Sequence, residues 1–282
     1  MPDIADIVLA LLLGAAGAPV GAAAGRLVPL FARHDPEPDE DTPPPPPACP
    51  NCGTAIPFLP WLPAARVRGF ARNGRCPSCA RAVPPSVGLA AATALLFAAV
   101  GLSTGVSQTT ANPLWPAALL FFAAVGALLS SVDMRVHRLP NAIVGPAYPI
   151  AVPLVAGAAV LHRGASGPAP AFAAADLLAA AYPLGGMAAL AALYWLLWFI
   201  HPAGMGWGDV KIAGLVGLHL GFAGPVVVVA GTLAAFLASS AYGVVLLALR
   251  RATRRTQIPF GPFMIGGALA VLLAAPYAGL AP

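Results

Sequence analysis

The stretch from His201 to Lys211 reads His-Pro-Ala-Gly-Met-Gly-Trp-Gly-Asp-Val-Lys and joins two strongly apolar segments. It places one acid, Asp209, directly after Gly206-Trp207-Gly208. The two glycines carry no side chains, so another segment of backbone can come close to the carboxylate. A carboxylate at the end of an apolar segment is costly to keep there, and this cost indicates a functional residue.

A second acid, Asp133, has a similar setting in the stretch 131–141, which reads Ser-Val-Asp-Met-Arg-Val-His-Arg-Leu-Pro-Asn. Glycine, proline or basic neighbours surround both acids and predict a cavity at helix ends. We therefore expect Asp133 and Asp209 to form one site. Asp3 and Asp6 are predicted to favour the dipole of the first helix, and Asp176 is predicted to be an interfacial or helix-start acid.

The composition predicts a protein that is embedded in a lipid bilayer. Of its 282 residues 59% are hydrophobic and only 9% are charged, whereas soluble domains carry about 25% charged residues. The net charge of +5 does not indicate a nucleic-acid partner, because the arginines fall in short blocks between apolar runs. Residues 1–8 contain two acids and no base, which argues against a cleaved signal peptide.

Apolar runs of about the length that spans a bilayer predict an all-α polytopic membrane protein with about eight transmembrane helices. The runs lie at 4–31, 86–104, 114–132, 139–161, 170–199, 208–222, 224–249 and 259–281. We divide the chain into a first helix (1–31), a loop (32–85) and a seven-helix membrane core (86–282).

The basic residues predict the orientation of the chain. Lys211 flanks the fifth connection, and Arg163 is the one base in an even-numbered connection. The bases of the first, third and seventh connections are Arg33, Arg66, Arg68, Arg72, Arg75, Arg81, Arg135, Arg138, Arg250, Arg251, Arg254 and Arg255. Because basic connections stay in the cytoplasm, both termini are predicted to lie outside it. The loop, Asp133 and Asp209 are predicted to lie at the cytoplasmic side of the membrane.

The loop 32–85 has two parts. Residues 32–48 form an acidic, proline-rich tract that is predicted to be an extended linker. Residues 49–79 contain two CxxC motifs about twenty residues apart, which are typical of a tetrahedral structural zinc site. The four predicted Zn²⁺ ligands are the only cysteines of the chain: Cys49, Cys52, Cys76 and Cys79. Two disulfides, a redox role and unligated thiols are the alternatives, and a cytoplasmic location disfavours disulfides.

Two carboxyl groups that share one proton are the catalytic unit of aspartic proteases. One ionised carboxylate takes a proton from water, and the other donates a hydrogen bond to the scissile carbonyl. A proton-coupled transporter could use the same acids as a relay, and a non-catalytic assembly platform could use the metal loop alone. Both acids lie at one predicted face and the chain shows no inverted repeat, so the sequence favours the protease.

Two neighbouring features allow two interpretations each. Lys211 either extends toward lipid headgroups, or holds substrate or tunes Asp209. The segment Ile258-Pro259-Phe260-Gly261-Pro262-Phe263 is either a rigid start of the last helix or a wall of the acid cavity.

The chain resembles the prepilin peptidases, which belong to the GxGD intramembrane aspartyl proteases. The resemblance covers nearly the whole chain and rests on four motifs in order. These are the paired CxxC motifs, Asp133 followed by Leu139-Pro140-Asn141, the segment 206–211, and Ile258-Pro259-Phe260-Gly261-Pro262.

The resemblance implies that Asp133 and Asp209 are the catalytic pair. The implied substrates are type IV prepilins and pseudopilins, whose short basic leader is cut at the cytoplasmic face of the bacterial inner membrane, just before an apolar helix. The residues expected to support the pair are Gly206, Gly208, Lys211, Pro140, Asn141, Pro259, Phe260, Gly261 and Pro262.

Many members of this family also methylate the new N-terminus with S-adenosylmethionine. In this chain Gly88 stands where the family has a glutamate, within Pro84-Pro85-Ser86-Val87-Gly88. No glycine-rich nucleotide loop in a strand–turn–helix context is visible. The sequence therefore leaves cleavage alone and cleavage followed by methylation as alternatives.

Overall fold

The computed structural model describes residues 2–33, 45–164, 174–202, 204–251, 253, 256 and 258–279. Most of the predicted linker (34–44), together with Arg254 and Arg255, lies outside the described residues, as do the side chains of Arg163 and Asp176. The helices are α1 (Ile4–Gly25), α2 (Arg68–Asn73), α3 (Val87–Ala111), α4 (Leu114–Val136), α5 (Asn141–Gly164), α6 (Ala174–Ile200), α7 (Trp207–Phe222), α8 (Pro225–Ala248) and α9 (Gly261–Ala274). Two short antiparallel strands, β1 (Phe58–Leu59) and β2 (Leu62–Ala65), lie in the loop between α1 and α3.

The predicted all-α membrane fold is confirmed. Within the described residues, six helices are long and apolar enough to cross a membrane: Ile4–Leu30, Val87–Ala111, Leu114–Val136, Asn141–His162, Ala181–Ile200 and Pro225–Ala248. Two further apolar helices are shorter, because α7 has 16 residues and α9 has 14. At 1.5 Å per residue they measure about 24 and 21 Å, less than the roughly 30 Å of a hydrocarbon core. Both begin at segments that the sequence predicts to hold the site.

The short helix α7 is the centre of the bundle. Residues 212–222 are buried without interruption, and α7 packs against α5, α6, α8 and α9. The contact with α6 is a backbone-to-backbone approach, since a Cβ on Gly221 would lie 2.8 Å from the carbonyl oxygen of Tyr182. Membrane helices associate through such small residues because lipid supplies no hydrophobic force between them. The close packing therefore fixes the middle and the end of α7 within the bundle.

The two acids at the start of α1 act as caps. Asp3 and Asp6 form a capping box. The Asp3 carboxylate accepts a hydrogen bond of 2.8 Å from the Asp6 amide, and the Asp6 carboxylate accepts one of 3.1 Å from the Asp3 amide. The Asp6 carboxylate also accepts a hydrogen bond of 2.9 Å from the backbone amide of Val106. This amide is exposed by a break in α3 at Gly105, whose φ of 63° lies in the left-handed region. The acids therefore tie α1 to α3 at the end of the bundle where the chain begins.

Candidate active site and metal centre

A cavity of about 910 Å³ holds both acids that the sequence predicts to act together. Asp133 and Asp209 line it and are themselves buried, with 5% and 7% of their surfaces exposed. They come from α4 and α7 and lie within electrostatic range of each other. The cavity walls come from the turn after α4, the segment between α6 and α7, α8, and the segment before α9. The structure therefore brings two distant parts of the chain together around paired carboxyl groups.

Asp133 lies in the last turn of α4. Its backbone carbonyl accepts a hydrogen bond of 2.8 Å from the amide of His137, which ends the helix in a left-handed conformation (φ 51°). One carboxylate oxygen, Oδ2, is buried and has no hydrogen-bond partner among the described residues. A Cβ on Gly261 would lie 2.8 Å from this oxygen. Glycine at the first position of α9 thus allows that helix to begin beside the carboxylate.

Asp209 lies in the first turn of α7. Gly206 caps the helix, and its carbonyl accepts a hydrogen bond of 3.0 Å from the Asp209 amide. The free amides at a helix start favour a negative charge there. A Cβ on Gly208 would lie 3.0 Å from the Cβ of Leu139, so this glycine lets the turn between α4 and α5 approach α7. The Gly-Trp-Gly-Asp stretch is therefore a contact surface as well as a helix start.

Lys211 and Asn141 brace the start of α7 against α5. The Lys211 ammonium group donates a hydrogen bond of 2.8 Å to the Asn141 side-chain oxygen. The Tyr148 hydroxyl on α5 donates a second bond, of 2.6 Å, to the Lys211 carbonyl. Neither Lys211 nor Asn141 belongs to the cavity lining. Pro140 is buried, and its carbonyl accepts hydrogen bonds of 3.0 and 3.1 Å from the amides of Ile143 and Val144 in the first turn of α5.

The segment before α9 is both a wall of the acid cavity and the start of the helix, as the two interpretations of its sequence predict. Pro259 and Phe260 line the cavity. Phe260 also caps α9, and Gly261 and Pro262 form its first turn. A proline is tolerated in the first turn because its missing N–H would have no partner there. Of the predicted support residues, Gly206, Gly208, Pro259 and Phe260 line the cavity, while Lys211, Pro140, Asn141, Gly261 and Pro262 lie around it.

Several cavity residues were not singled out by the sequence analysis. Ser239 and Ser240 on α8 and Arg138 after α4 are among them. The serine pair interrupts an apolar run, so it could have been noticed as a polar signal. Tyr194 on α6 is fully buried behind Phe236 and Phe260, with ring centroids 6.0 Å from each. An aromatic residue in an apolar run is typical of packing, so the sequence offers no signal for it.

The four cysteines converge in the loop between α1 and α3. Their sulfur atoms all lie within 4.8 Å of one another, and the cysteines are free thiols rather than disulfides. The Cys49–Cys79 and Cys52–Cys76 sulfur distances are 3.9 and 3.5 Å. A tetrahedral metal with bonds of about 2.3 Å to sulfur has sulfur–sulfur edges of about 3.8 Å. The four thiols therefore fit a tetrahedral metal site.

Thr54 changes the acidity of the neighbouring Cys52 thiol. Hydrogen bonding between Cys52 and the side chain and backbone of Thr54 lowers the pKa of Cys52 to about 6. A lower pKa favours the thiolate, which is the form that binds metal. Buried residues Ile56, Phe70 and Val83 pack around the cluster, and these few side chains form a small core.

The fold and the paired sites define a helical membrane protein with an acid-lined cavity and a separate four-cysteine metal module. Comparison with known proteins identifies the family. The prepilin leader peptidase/N-methyltransferase of Pseudomonas aeruginosa is 30% identical over 236 residues, which cover 81% of this chain and 71% of that protein. Proteins of the same name from Burkholderia pseudomallei strains 1026b and K96243 are 31% identical over 241 residues, covering 81% of this chain and 67% of theirs. No protein-family model and no solved structure matches the chain.

The chain therefore belongs to the prepilin leader peptidase/N-methyltransferase family. This confirms the resemblance drawn from the four motifs, and with it that the chain is an enzyme with peptidase activity.

We expect the purified protein to contain about one equivalent of bound metal. Cys49→Ser and Cys76→Ser each remove one of four ligands and a buried sulfur, so bound metal falls to background and less folded protein accumulates in the membrane. Because metal binding supplies folding free energy in small modules, a strong chelator should produce the same loss in the wild type. Metal analysis of the purified protein and quantitation of membrane-inserted protein measure both effects.

Ser78→Ala is the matched control, since Ser78 lies between two ligands, is exposed and is not part of the cluster. It should keep the metal. Normal folding without metal in Cys49→Ser would contradict the structural role.

Proposed function

We propose that this chain is a membrane-embedded aspartic endopeptidase that removes the short basic leader of type IV prepilins or pseudopilins. The carrying observation is the pair Asp133 and Asp209, two buried acids from different helices in one cavity. The three relatives are named prepilin leader peptidases, which supports the substrate class. The cavity-lining residues all fall within 133–260, which supports assigning the chemistry to the membrane core 86–282.

The proposed reaction is hydrolysis by an activated water. Repulsion between two close carboxylates favours a pair that shares one proton. The ionised member takes a proton from water as the oxygen attacks the scissile carbonyl carbon, and the protonated member donates a hydrogen bond to the carbonyl oxygen. As the tetrahedral intermediate collapses, the C–N bond breaks and the proton taken from water passes to the leaving amine. No nucleophilic serine or cysteine is required.

The surrounding residues have supporting roles in this proposal. Gly208 and Gly261 admit the α4–α5 turn and the start of α9 to within van der Waals distance of the site. Lys211 and Asn141 fix the start of α7, and therefore the position of Asp209, against α5. Pro259 and Phe260 form a wall that also caps α9. The catalytic geometry then depends on the mutual positions of three helix ends.

The proposed location is the inner membrane, with the site at its cytoplasmic face. The distribution of arginines between connections supports this orientation, since Arg135 and Arg138 follow Asp133 directly and basic connections are retained in the cytoplasm. We propose zinc as the metal of the cysteine cluster, because a tetrahedral set of four thiolates suits Zn²⁺. Its role is structural: it would be held by Cys49, Cys52, Cys76 and Cys79, away from the acids.

N-methylation is the second candidate activity, and the names of the relatives favour it. S-adenosylmethionine would be the methyl donor. Gly88 stands where the family has glutamate, and a Cβ placed on Gly88 would meet no other atom within 4 Å. The position is therefore open, and it lies outside the acid cavity. Mass analysis of the cut product, with and without added S-adenosylmethionine, tests this activity: a methyl group that depends on the donor supports it, and an unmodified N-terminus contradicts it.

We expect Asp133→Asn and Asp209→Asn each to lower the cleavage rate of a co-expressed prepilin-like substrate by at least about 10²-fold. Asparagine keeps the size and the hydrogen bonding of the side chain, but it cannot share the proton. The ratio of cut to uncut substrate gives the rate, and membrane-inserted enzyme is quantified in parallel.

Asp3→Asn makes the same chemical change in a capping residue of α1 and should leave cleavage unchanged, since asparagine caps helices as well as aspartate. Cleavage at the wild-type rate by either catalytic variant would overturn the pair. Proton-coupled transport lost in both variants would instead support a transporter. Full pilus assembly with both acids replaced would support an assembly platform.

A further inference from the structure

An apolar groove of about 560 Å³ opens between α6 and α8, with α7 at its base. We call it the α6–α8 groove. Its lining includes Tyr182 and Gly185 on α6, Gly221 on α7, and Pro225, Val228 and Val229 on α8. Tyr182 and Val229 are well exposed, at 60% and 59%.

The α6–α8 groove and the acid cavity share two helices, α7 and α8. Pro225 and Val229 line the groove, and Phe236 and Ser240 line the cavity. Their spacings of four, seven and four residues place them on one face of α8. On α7 the cavity reaches Asp209 and the groove reaches Gly221, about 18 Å apart at 1.5 Å per residue. One face of α8 therefore forms a path that leads from the cavity to the groove.

Two neighbouring glycines of the groove, Gly185 and Gly186, have different surroundings. Gly186 cannot carry a side chain, since its Cβ would lie 2.7 Å from the Gly221 Cα. Gly185, the neighbouring residue, faces the other way, and a Cβ there would meet no atom within 4 Å. Helix packing therefore does not explain the small residue at 185. It leaves room for a molecule outside this chain.

The difference in polarity between the acid cavity and the groove indicates which kind of molecule binds there. The cavity end carries His201, Ser239 and Ser240 beside the acids, and the groove end is lined mainly by alanine, glycine and valine. A polypeptide whose polar leader precedes an apolar helix has the same order of polarity. A lipid chain matches the apolar end alone, and nothing requires it to continue to the acids.

We propose that the α6–α8 groove binds the apolar helix that follows the scissile bond of the substrate. The inference rests on the proposed function, because it assumes that a peptide bond is held at Asp133 and Asp209. The 18 Å between Asp209 and Gly221 then corresponds to about twelve residues of substrate helix. The residue about twelve positions after the cut should lie against Gly185 and Val229.

Photo-crosslinking from α8 tests the proposal. A benzophenone amino acid replaces Val229 in the full-length Asp209→Asn variant, which keeps the substrate uncut, and a prepilin-like substrate is co-expressed. Val226 is the matched control, since it is a valine on the same helix with 63% exposure that does not line the groove. We expect Val229 to crosslink to the substrate about twelve residues after the cleavage site, and Val226 to crosslink to lipid. Equal substrate yields from both positions, crosslinks to lipid alone, or crosslinks to a second copy of the chain would overturn it.

A filling substitution provides a second measurement. Gly185→Leu should raise KM for the substrate by about tenfold or more, because the leucine occupies the groove. Gly266→Leu on α9 is the control, since Gly266 is exposed and its Cβ would also meet nothing within 4 Å. A wild-type enzyme that fails to cut the substrate would refute the proposed function. A wild type that cuts, with Gly185→Leu cutting equally well, would refute the groove alone.

A separate observation concerns Tyr194 on α6. Its side chain is fully buried, and its hydroxyl has no hydrogen-bond partner among the described residues. A buried hydroxyl without a partner is unfavourable, so its presence requires an explanation. Phenylalanine would fill the same space without this cost.

The packing of α6 on α7 places Tyr194 level with the first turns of α7. The helices are antiparallel: Gly186 contacts Gly221, and Met187 contacts Gly214. Moving along α6 toward Tyr194 therefore moves toward the start of α7. The Asp209 carboxylate lies within electrostatic range of the Tyr194 hydroxyl. The aromatic wall of Phe236 and Phe260 holds the Tyr194 ring in place.

We infer that Tyr194 is a positioning residue, whose hydroxyl donates a hydrogen bond to the Asp209 carboxylate when substrate fills the cavity. This inference also rests on the proposed function. The bond would hold Asp209 in the orientation that activates water, and it would satisfy the buried hydroxyl.

Tyr194→Phe should lower kcat by about tenfold while KM changes little and the folded protein stays as stable as the wild type or becomes more stable. A purely structural tyrosine would not separate kcat from stability in this way. Tyr242→Phe is the matched control, since Tyr242 is 45% exposed on α8 and packs on Phe263 away from the acids. Steady-state cleavage and thermal unfolding of the purified enzymes measure these effects. An unchanged kcat in a stable Tyr194→Phe protein, or a kcat that falls only with loss of folded protein, would overturn the assignment.

Discussion

The close approach of three helix ends around two buried carboxyl groups is the constraint on which the rest of the structure depends. The turn after α4 packs onto Gly208 at the start of α7, and α9 begins with Gly261 against Asp133. A side chain at either glycine would push one acid away from the other. Residues 212–222 of α7 are buried, and the helix packs against α5, α6, α8 and α9, so a shift of one of these ends is expected to affect its neighbours.

Burial of the acids carries a cost that the architecture partly offsets. Asp209 lies at a helix start, where free amides favour a negative charge. Asp133 has one buried oxygen with no hydrogen-bond partner among the described residues. Removing a polar group from water without a partner is unfavourable, so a fold that retains this arrangement stores free energy at the site. The hydrogen bond between Lys211 and Asn141 lies outside the cavity and ties the start of α7 to α5.

The metal module and the membrane core are stabilised in different ways. The core is built from apolar helices whose glycines permit close contact, as at Gly186 and Gly221. The loop between α1 and α3 has only a small core, and four thiols meet beside it. This separation explains why cysteine substitutions and aspartate substitutions are expected to act on different properties, folding in one case and turnover in the other.

The sequence alone determined the membrane-helical class, because runs of apolar residues have few other stable structures in a bilayer. It also determined the paired acids and the four-cysteine site, since spacing and residue type reveal ligands and costly charges. It did not determine that α7 and α9 are short, or that Lys211 contacts Asn141 rather than the acids. Nor did it determine that the serines of α8 line the cavity, with Tyr194 packed behind Phe236 and Phe260. These features depend on which helix faces meet, and apolar residues look alike in sequence whether they face lipid or a neighbouring helix. Only the tertiary structure decided them, because side-chain contacts across helices are set by packing and not by local pattern.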